Sequence, residues 1–286
     1  MEEHQYRDLW QRGQIRRMTY TIREESAEAS NAEICKYANV YLPYGYDEEK
    51  KYPVLYLIHG GGGNPDAWLD DSKIKNALDV SFATGRCAPF LVVFPTFYNR
   101  EPVRTGRVDE QAERAHVLGF MQELRQNLIP AVDSTFSTIA ERSGRAIGGF
   151  SMGGVTTWFA FLNNLDQFEY FMPLSGDCWQ FGGLGGGKET VKTVDYLCSR
   201  VPEQGFGPQD FRILAATGDQ DIACPNLTPQ IEEMKKRADV FTYSEDPTQG
   251  NLHYAVKENA YHRYEEVYQY VYHLMPYLFQ TERNEK

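Results

Sequence analysis

Residues Gly149-Phe150-Ser151-Met152-Gly153 restrict the fold of this chain more than any other segment. They follow Arg145-Ala146-Ile147-Gly148, a short run suited to the middle of a sheet. They precede Gly154-Val155-Thr156-Thr157-Trp158-Phe159-Ala160-Phe161, which reads as a buried helix. A Gly-x-Ser-x-Gly between strand and helix describes a tight turn that lifts a serine hydroxyl above the end of a sheet. The glycines are steric requirements, because the serine is held in a strained backbone conformation and side chains two residues to either side would clash. Among 24 glycines the pentad alone is a weak signal. Its strand–turn–helix setting makes it specific.

The rest of the chain supplies the sheet that such a turn needs. Segments 15–23 and 33–42 approximate period-two alternation, as expected of antiparallel strands at a sheet edge. Segments 53–59, 90–94, 146–150, 170–174 and 211–216 are almost continuously apolar, the pattern of strands buried on both faces, and 251–256 is a weaker last strand. Helices are expected at 73–82, 110–127, 155–163, 229–237 and 264–278. Alternation of this kind predicts a mostly parallel eight-stranded sheet with helices on both faces, in the order of the α/β-hydrolase fold. No linker, repeat or second core interrupts it. The expected organisation is one domain over 15–280, preceded by an extension (1–14) and followed by a short tail (281–286). Segment 176–208, with Gly182-Gly183-Leu184-Gly185-Gly186-Gly187, is either a wall of the cleft above the serine or a floppy surface insertion.

Composition narrows the partners. A formal net charge of −11, with acids spread along the chain, argues against nucleic acid and anionic membrane surfaces. No run approaches the roughly 18 apolar residues needed to span a bilayer. The N-terminal residues contain no stretch resembling a signal peptide, which gives the expectation of a cytoplasmic protein acting on small imported compounds. The five cysteines (Cys35, Cys87, Cys178, Cys198, Cys224) form no zinc-like spacing, so nothing points to a metal. An aromatic content of 14% suits a ring-stacking cleft but is also what core packing requires.

A serine hydroxyl is a poor nucleophile unless a base lies within hydrogen-bond reach and a third group orients that base. In this fold the chain order is Ser, then Asp or Glu, then His. Of six histidines, His4, His59 and His116 precede Ser151, His253 falls inside the last strand and His273 inside the last helix. His262 lies between that strand and helix, where a loop carries an imidazole over the sheet. The acid is expected after 211–216, where Asp219 and Asp221 are both available, with Asp177 a weaker third choice. Asp219 equally suits a turn cap. Two backbone N–H groups are needed to bind a developing oxyanion. Met152, next after the nucleophile, supplies one, and the loop His59-Gly60-Gly61-Gly62-Gly63 supplies the other, through Gly61. A phosphate-cradling role for this loop is disfavoured, because Asn64-Pro65 stands where a P-loop has Lys-Ser/Thr.

With these residues in place the chain resembles carbohydrate esterase family 1, in particular the feruloyl esterase modules attached to bacterial xylanases. The likeness is carried by His59-Gly60-Gly61-Gly62, Pro95-Thr96-Phe97, Arg125-Gln126-Asn127-Leu128-Ile129-Pro130 and Gly148-Gly149-Phe150-Ser151-Met152-Gly153-Gly154. It continues through Phe171-Met172-Pro173-Leu174-Ser175-Gly176-Asp177-Cys178-Trp179, Ala216-Thr217-Gly218-Asp219-Gln220-Asp221-Ile222-Ala223, 226–234 and 273–279. The resemblance implies that Asp221 is the acid, that His262 is the base, and that Trp179 belongs to the substrate cleft; Asp177 reads, on its position, as a turn residue or a further acid of that cleft. It implies hydrolysis of ferulate or related hydroxycinnamate esters of arabinose, from plant arabinoxylan or oligosaccharides derived from it, without a cofactor. Acetylxylan esterases and S-formylglutathione hydrolases share the scaffold, so a short-acyl esterase is the alternative. An inactive carbohydrate-binding protein is a third reading, against which the complete Ser, Asp and His set argues. Two stretches depart from the family pattern: Arg263-Tyr264-Glu265-Glu266 after the histidine, and the charged segment 98–113 with Arg100, Arg104 and Arg107, followed by Arg114.

Overall fold

A computed structural model describes residues 9–24, 32–100 and 109–280. Arg104 and Arg107, most of the N-terminal extension and the tail 281–286 lie outside these described residues. Eight strands form one sheet: β1 (Gln14–Glu24), β2 (Ala32–Leu42), β3 (Val54–Ile58), β4 (Leu91–Phe94), β5 (Arg145–Phe150), β6 (Tyr170–Leu174), β7 (Arg212–Gly218) and β8 (Leu252–Lys257). Their spatial order is β1-β2-β4-β3-β5-β6-β7-β8. The β1–β2 and β2–β4 pairs are antiparallel, and the pairs from β4–β3 through β7–β8 are parallel. This is the α/β-hydrolase fold, and each expected strand is present within two residues at either end.

Burial explains why the two kinds of strand look different in sequence. Along β1, Met18, Tyr20 and Ile22 are buried while Arg17, Thr19 and Thr21 face outward. Along β3 every residue is buried: Val54, Tyr56 and Ile58 enter one apolar layer, Leu55 and Leu57 the other. Continuous apolar character is what a strand covered on both faces requires.

The helices that cover it are α1 (Ala67–Asp70), α2 (Ile74–Ala83), α3 (Glu110–Glu123), α4 (Ile129–Thr135), α5 (Met152–Asn163), α6 (Gly185–Lys188), α7 (Thr190–Glu203), α8 (Cys224–Met234) and α9 (Tyr264–Leu274). Among the described residues no helix is long and apolar enough to cross a membrane. The single helix expected over 110–127 is broken. After Glu123 the chain widens into a π turn, Leu124–Leu128, whose following amide, Ile129 N–H, reaches Leu124 O. Pro130, with no N–H to give, begins the next helix immediately after it. The helix expected at 229–237 instead spans Cys224–Met234, with Pro225 in its first turn and Pro229 inside it. Proline is at home in a first turn, so the first of the two prolines marks the start.

Segment 176–208 is not a floppy insertion. It contains α6 and α7, and α7 buries Thr193, Val194, Leu197 and Val201 at helical spacing. Gln230 on α8 accepts from Cys178 N at 2.8 Å, and Trp158 on α5 donates to Gly176 O at 2.9 Å. The segment is a packed shelf beside the C-terminal ends of the parallel strands.

Candidate active site

β5 delivers the chain to Ser151, whose backbone has φ 56° and ψ −115°. A positive φ is costly for any residue with a side chain. Here it is held by Ser151 N–H donating to Leu174 O at 3.0 Å on the neighbouring strand and by Val155 N–H donating back to Ser151 O at 3.0 Å. The turn also needs close approach. A Cβ on Gly149 would lie 2.6 Å from Ile58 O, and one on Gly153 would lie 2.8 Å from Ile58 C. The glycines of the pentad are there because β3 passes against them.

His262 arrives from the loop between β8 and α9, with its Nε2 2.9 Å from Ser151 Oγ. Its Nδ1 lies 2.7 Å from Asp221 Oδ1. Asp221 follows β7 and is almost fully buried, and its Oδ1 also accepts from Ala223 N–H at 2.8 Å. A carboxylate can only accept from the imidazole, so Nδ1 carries the proton and Nε2 is left to accept from the serine. Asp219 takes no part: its N–H donates to Lys257 O, tying the β7 loop to the end of β8. Phe150 lies beneath the imidazole, ring centroids 4.5 Å apart.

Met152 and Gly61 are brought together. A Cβ on Gly61 would be 3.2 Å from Met152 Cγ. Neither residue's amide donates to a protein acceptor among the described residues. The Gly61 N–H belongs to the same peptide plane as Gly60 O, and that oxygen is fixed on its far side by Gly63 N–H at 3.1 Å and His59 Nδ1 at 2.7 Å. In a trans peptide the two groups point in opposite directions. His59 Nε2 meets Thr96 Oγ1 at 2.8 Å, and complete burial drives the pKa of this histidine down to about 4, so the ring is neutral at ordinary pH.

A cleft of about 840 Å³ opens over Ser151, His262, Gly61 and Met152, with Trp179 on one wall. Trp179 Nε1–H donates to Asp177 Oδ1 at 3.1 Å, and Asp177 Oδ2 accepts from Gly186 N–H at 2.9 Å. Burial raises the pKa of Asp177, and the Trp179 and Gly186 bonds oppose that rise. The carboxylate lines the cleft, but each of its oxygens already accepts from the protein, so it orients Trp179 and anchors α6. Four more carboxylates, Asp70, Asp71, Glu110 and Glu113, edge the same cleft. Among the described residues no three His, Cys, Asp or Glu side chains gather in a metal-binding arrangement.

Local spacing gives three residues of the site no role. Ser175 also has a positive φ, 50°, and lines the cleft beside Gly176. Tyr98 sits at the start of a charged stretch and is nevertheless buried, stacked on His59 with centroids 5.7 Å apart. Tyr264, noted only as part of a departure from a family pattern, packs edge-on against Phe150 and Trp68 at 4.9 and 5.1 Å. Each is placed by tertiary contacts that no local spacing encodes.

The Esterase family model, described as "Putative esterase", matches residues 34–276. The endo-1,4-beta-xylanase Y of Acetivibrio thermocellus is 40% identical over 255 residues, 85% of this chain and 22% of that protein. An endo-1,4-beta-xylanase/feruloyl esterase of Xylanibacter ruminicola is 36% identical over 144 residues, 49% of this chain and 19% of that protein. The chain therefore spans about a fifth of the length of these curated relatives. Among solved structures, a serine-to-alanine mutant of the feruloyl esterase module from Clostridium thermocellum, complexed with sinapinate, matches with a TM-score of 0.83 at 35% identity, covering 100% of this chain and 95% of that one. On this coverage and identity the chain belongs to the esterase family, and the likeness to feruloyl esterase modules drawn from its motifs extends over the whole fold.

Proposed function

We propose that this protein is a serine esterase that hydrolyses hydroxycinnamoyl esters, of which feruloyl-arabinose esters are the plant example. The observation that carries the reading is the unbroken line from Ser151 Oγ to His262 Nε2 at 2.9 Å and from His262 Nδ1 to Asp221 Oδ1 at 2.7 Å, opening into a cleft. Ser151 Oγ attacks the ester carbonyl carbon as its proton passes to His262 Nε2. The carbonyl oxygen gains negative charge facing the amides of Gly61 and Met152, whose donation is stronger to the oxyanion than to the ground-state carbonyl. Collapse of the tetrahedral intermediate breaks the bond to the sugar oxygen, which leaves with the proton from Nε2. Water then attacks the acyl-enzyme, giving its proton to the same nitrogen, and as the bond from the acyl carbon to Ser151 Oγ breaks, Nε2 returns that proton to Oγ and the acid departs. Asp221 keeps the imidazole in the productive tautomer and stabilises the imidazolium formed in both halves.

The size of the cleft and the ring of Trp179 on its wall support an aryl acyl group, as does the sinapinate held by the related module. Ser151→Ala is expected to remove essentially all turnover of methyl ferulate, by about 10⁴-fold or more, while leaving circular dichroism and melting temperature close to wild type. Activity retained in that variant rules out the nucleophile. Comparing methyl ferulate with an acetyl ester of the same alcohol tests the acyl preference: faster acetyl turnover at equal concentration rejects the hydroxycinnamoyl reading and leaves the general esterase.

A further inference from the structure

Gly61 lies in the middle of a loop whose neighbouring amides are each held by a tyrosine. Gly60 N–H donates to Tyr264 Oη at 2.9 Å, and Gly62 N–H donates to Tyr98 Oη at 2.9 Å. We propose that Tyr98 and Tyr264 are positioning residues for the esterase reaction, clamping the glycine loop from both sides so that the Gly61 N–H is aimed at the developing oxyanion before substrate arrives. The inference rests on the serine-esterase reading of Ser151 and extends it to side chains that act through the backbone of the glycine loop.

A run of four glycines has more backbone freedom than any other sequence of that length, and that freedom opposes catalysis. A hydrogen bond weakens steeply as its donor angle departs from linear, and an oxyanion donor helps only if its direction is set in advance. The peptide carrying the Gly61 N–H is fixed at its own oxygen by His59 and Gly63. The flanking peptides are the remaining sources of rotation, and each is pinned by a phenol.

Both phenols are themselves constrained. The Tyr98 hydroxyl has one proton, and that proton faces the Glu113 carboxylate, whose oxygens lie 2.7 and 2.8 Å away. Tyr98 Oη therefore accepts from Gly62 and donates to Glu113, with no freedom to reverse; a bond to an ionised acceptor is also the stronger kind. Tyr98 is buried, with its ring against Phe97 and His116 at 4.4 and 5.3 Å. Tyr264 is the first residue of α9, two positions after His262, so one short segment carries both the base and half of the clamp. Its ring is wedged between Phe150 and Trp68. The elbow, the base loop and the oxyanion loop meet on this ring.

The chain contains a matched control. At the opposite end of β3, Ser137 N–H donates to Tyr46 Oη at 2.8 Å, the same bond chemistry far from Ser151. The test compares wild type, Tyr98→Phe, Tyr264→Phe, the double variant and Tyr46→Phe. Two readouts are used: the rate of Ser151 labelling by a fluorophosphonate, and kcat and KM for methyl ferulate. Loss of either clamping hydroxyl is expected to lower kcat and labelling rate about 10-fold with KM within about 2-fold, and loss of both about 100-fold, below the cost of deleting an oxyanion donor outright. Tyr46→Phe is expected to lose thermal stability alone. Wild-type kcat and labelling in the folded Phe variants overturn the proposal, as does a pattern matching that of Tyr46→Phe. If Tyr98→Phe does not fold, Glu113→Gln keeps every ring in place and weakens the lock on the Tyr98 proton, and the labelling rate, which precedes product departure, reads that change. A labelling rate about 3-fold lower is then expected, and no change overturns the Tyr98 arm. A wild type that fails to label overturns the serine-esterase reading, and this inference with it.

Discussion

Two glycine-rich segments face the same cleft and use their glycines for opposite purposes. In residues 60–63, on the proposed mechanism, the backbone itself is the functional group, and its flanking groups bond to Tyr98, Tyr264 and His59. In residues 182–187 the glycines allow contact. A Cβ on Gly186 would meet Asp177 Cβ at 2.7 Å, and one on Gly187 would meet Asn226 Cα at 2.7 Å, so α6 lies flat on α8 and on the Asp177 carboxylate. Composition alone does not separate these cases. What separates them is whether the N–H groups remain without acceptors among the described residues, as at Gly61, or are spent inside the protein, as at Gly186. On the proposed mechanism the first segment acts on the chemistry and the second on the shape of the cleft.

That contrast can be broken by moving a methyl group between the two segments. The largest effect is expected from Gly63→Ala, whose Cβ would fall 2.8 Å from His59 Nδ1 and 3.0 Å from Gly60 O. Displacing the bond that fixes the Gly60–Gly61 peptide should lower kcat on methyl ferulate about 100-fold, with little change in KM. Gly186→Ala, forced against Asp177, should instead lower the free energy of unfolding by about 1–3 kcal/mol in a urea titration, with kcat per folded molecule nearly kept. If Gly186→Ala strikes kcat and spares stability, the two roles have been assigned the wrong way round. Trp179→Leu sharpens the second role: it removes the ring that Asp177 and the shelf hold in place. KM for methyl ferulate should rise about 10-fold, in line with one buried aromatic contact, while that for an acetyl ester stays put.

The smallest effect is a pH slope in the first segment. His59 is held neutral by burial, its pKa lowered from 6.5 to about 4. Between those values the unfolded chain takes up a proton that the folded chain refuses. The stability contributed by the neutral ring is therefore complete above pH 6.5 and is lost as pH falls toward 4, at no more than about 1.4 kcal/mol per pH unit. Denaturant midpoints at pH 7 and pH 5 should differ more for wild type than for His59→Gln. Equal slopes remove His59 from the account.

Much of this site was legible in the chain because its logic is local or ordinal. The pentad around Ser151 is a steric pattern, and chain order, with His273 inside the last helix, leaves His262 as the histidine of the loop after the last strand. Between Asp219 and Asp221 local reasoning stops, since both follow β7 by a few residues; geometry separates them, one capping toward Lys257 and the other reaching His262. The strands were readable because burial on both faces leaves a continuous apolar run. Helix α7 was overlooked although Val194, Leu197 and Val201 carry its period, because the glycines before it read as loop. The π turn at Leu124–Leu128 leaves only Pro130 as a trace. Tyr98 and Tyr264 leave none: a phenol that accepts from a glycine amide many residues away looks like any other core tyrosine.

The four carboxylates at the edge of the cleft have a consequence for the end of the reaction rather than its start. On the proposed chemistry the ester enters with no charge on its acyl group, and the acyl group departs as an anion. Asp70, Asp71, Glu110 and Glu113 stand around that exit on a chain of net charge −11. Carboxylates at the rim are indifferent to the neutral substrate and repel the charged product. On that chemistry the walls that admit the neutral ester favour departure of the acid once it has formed.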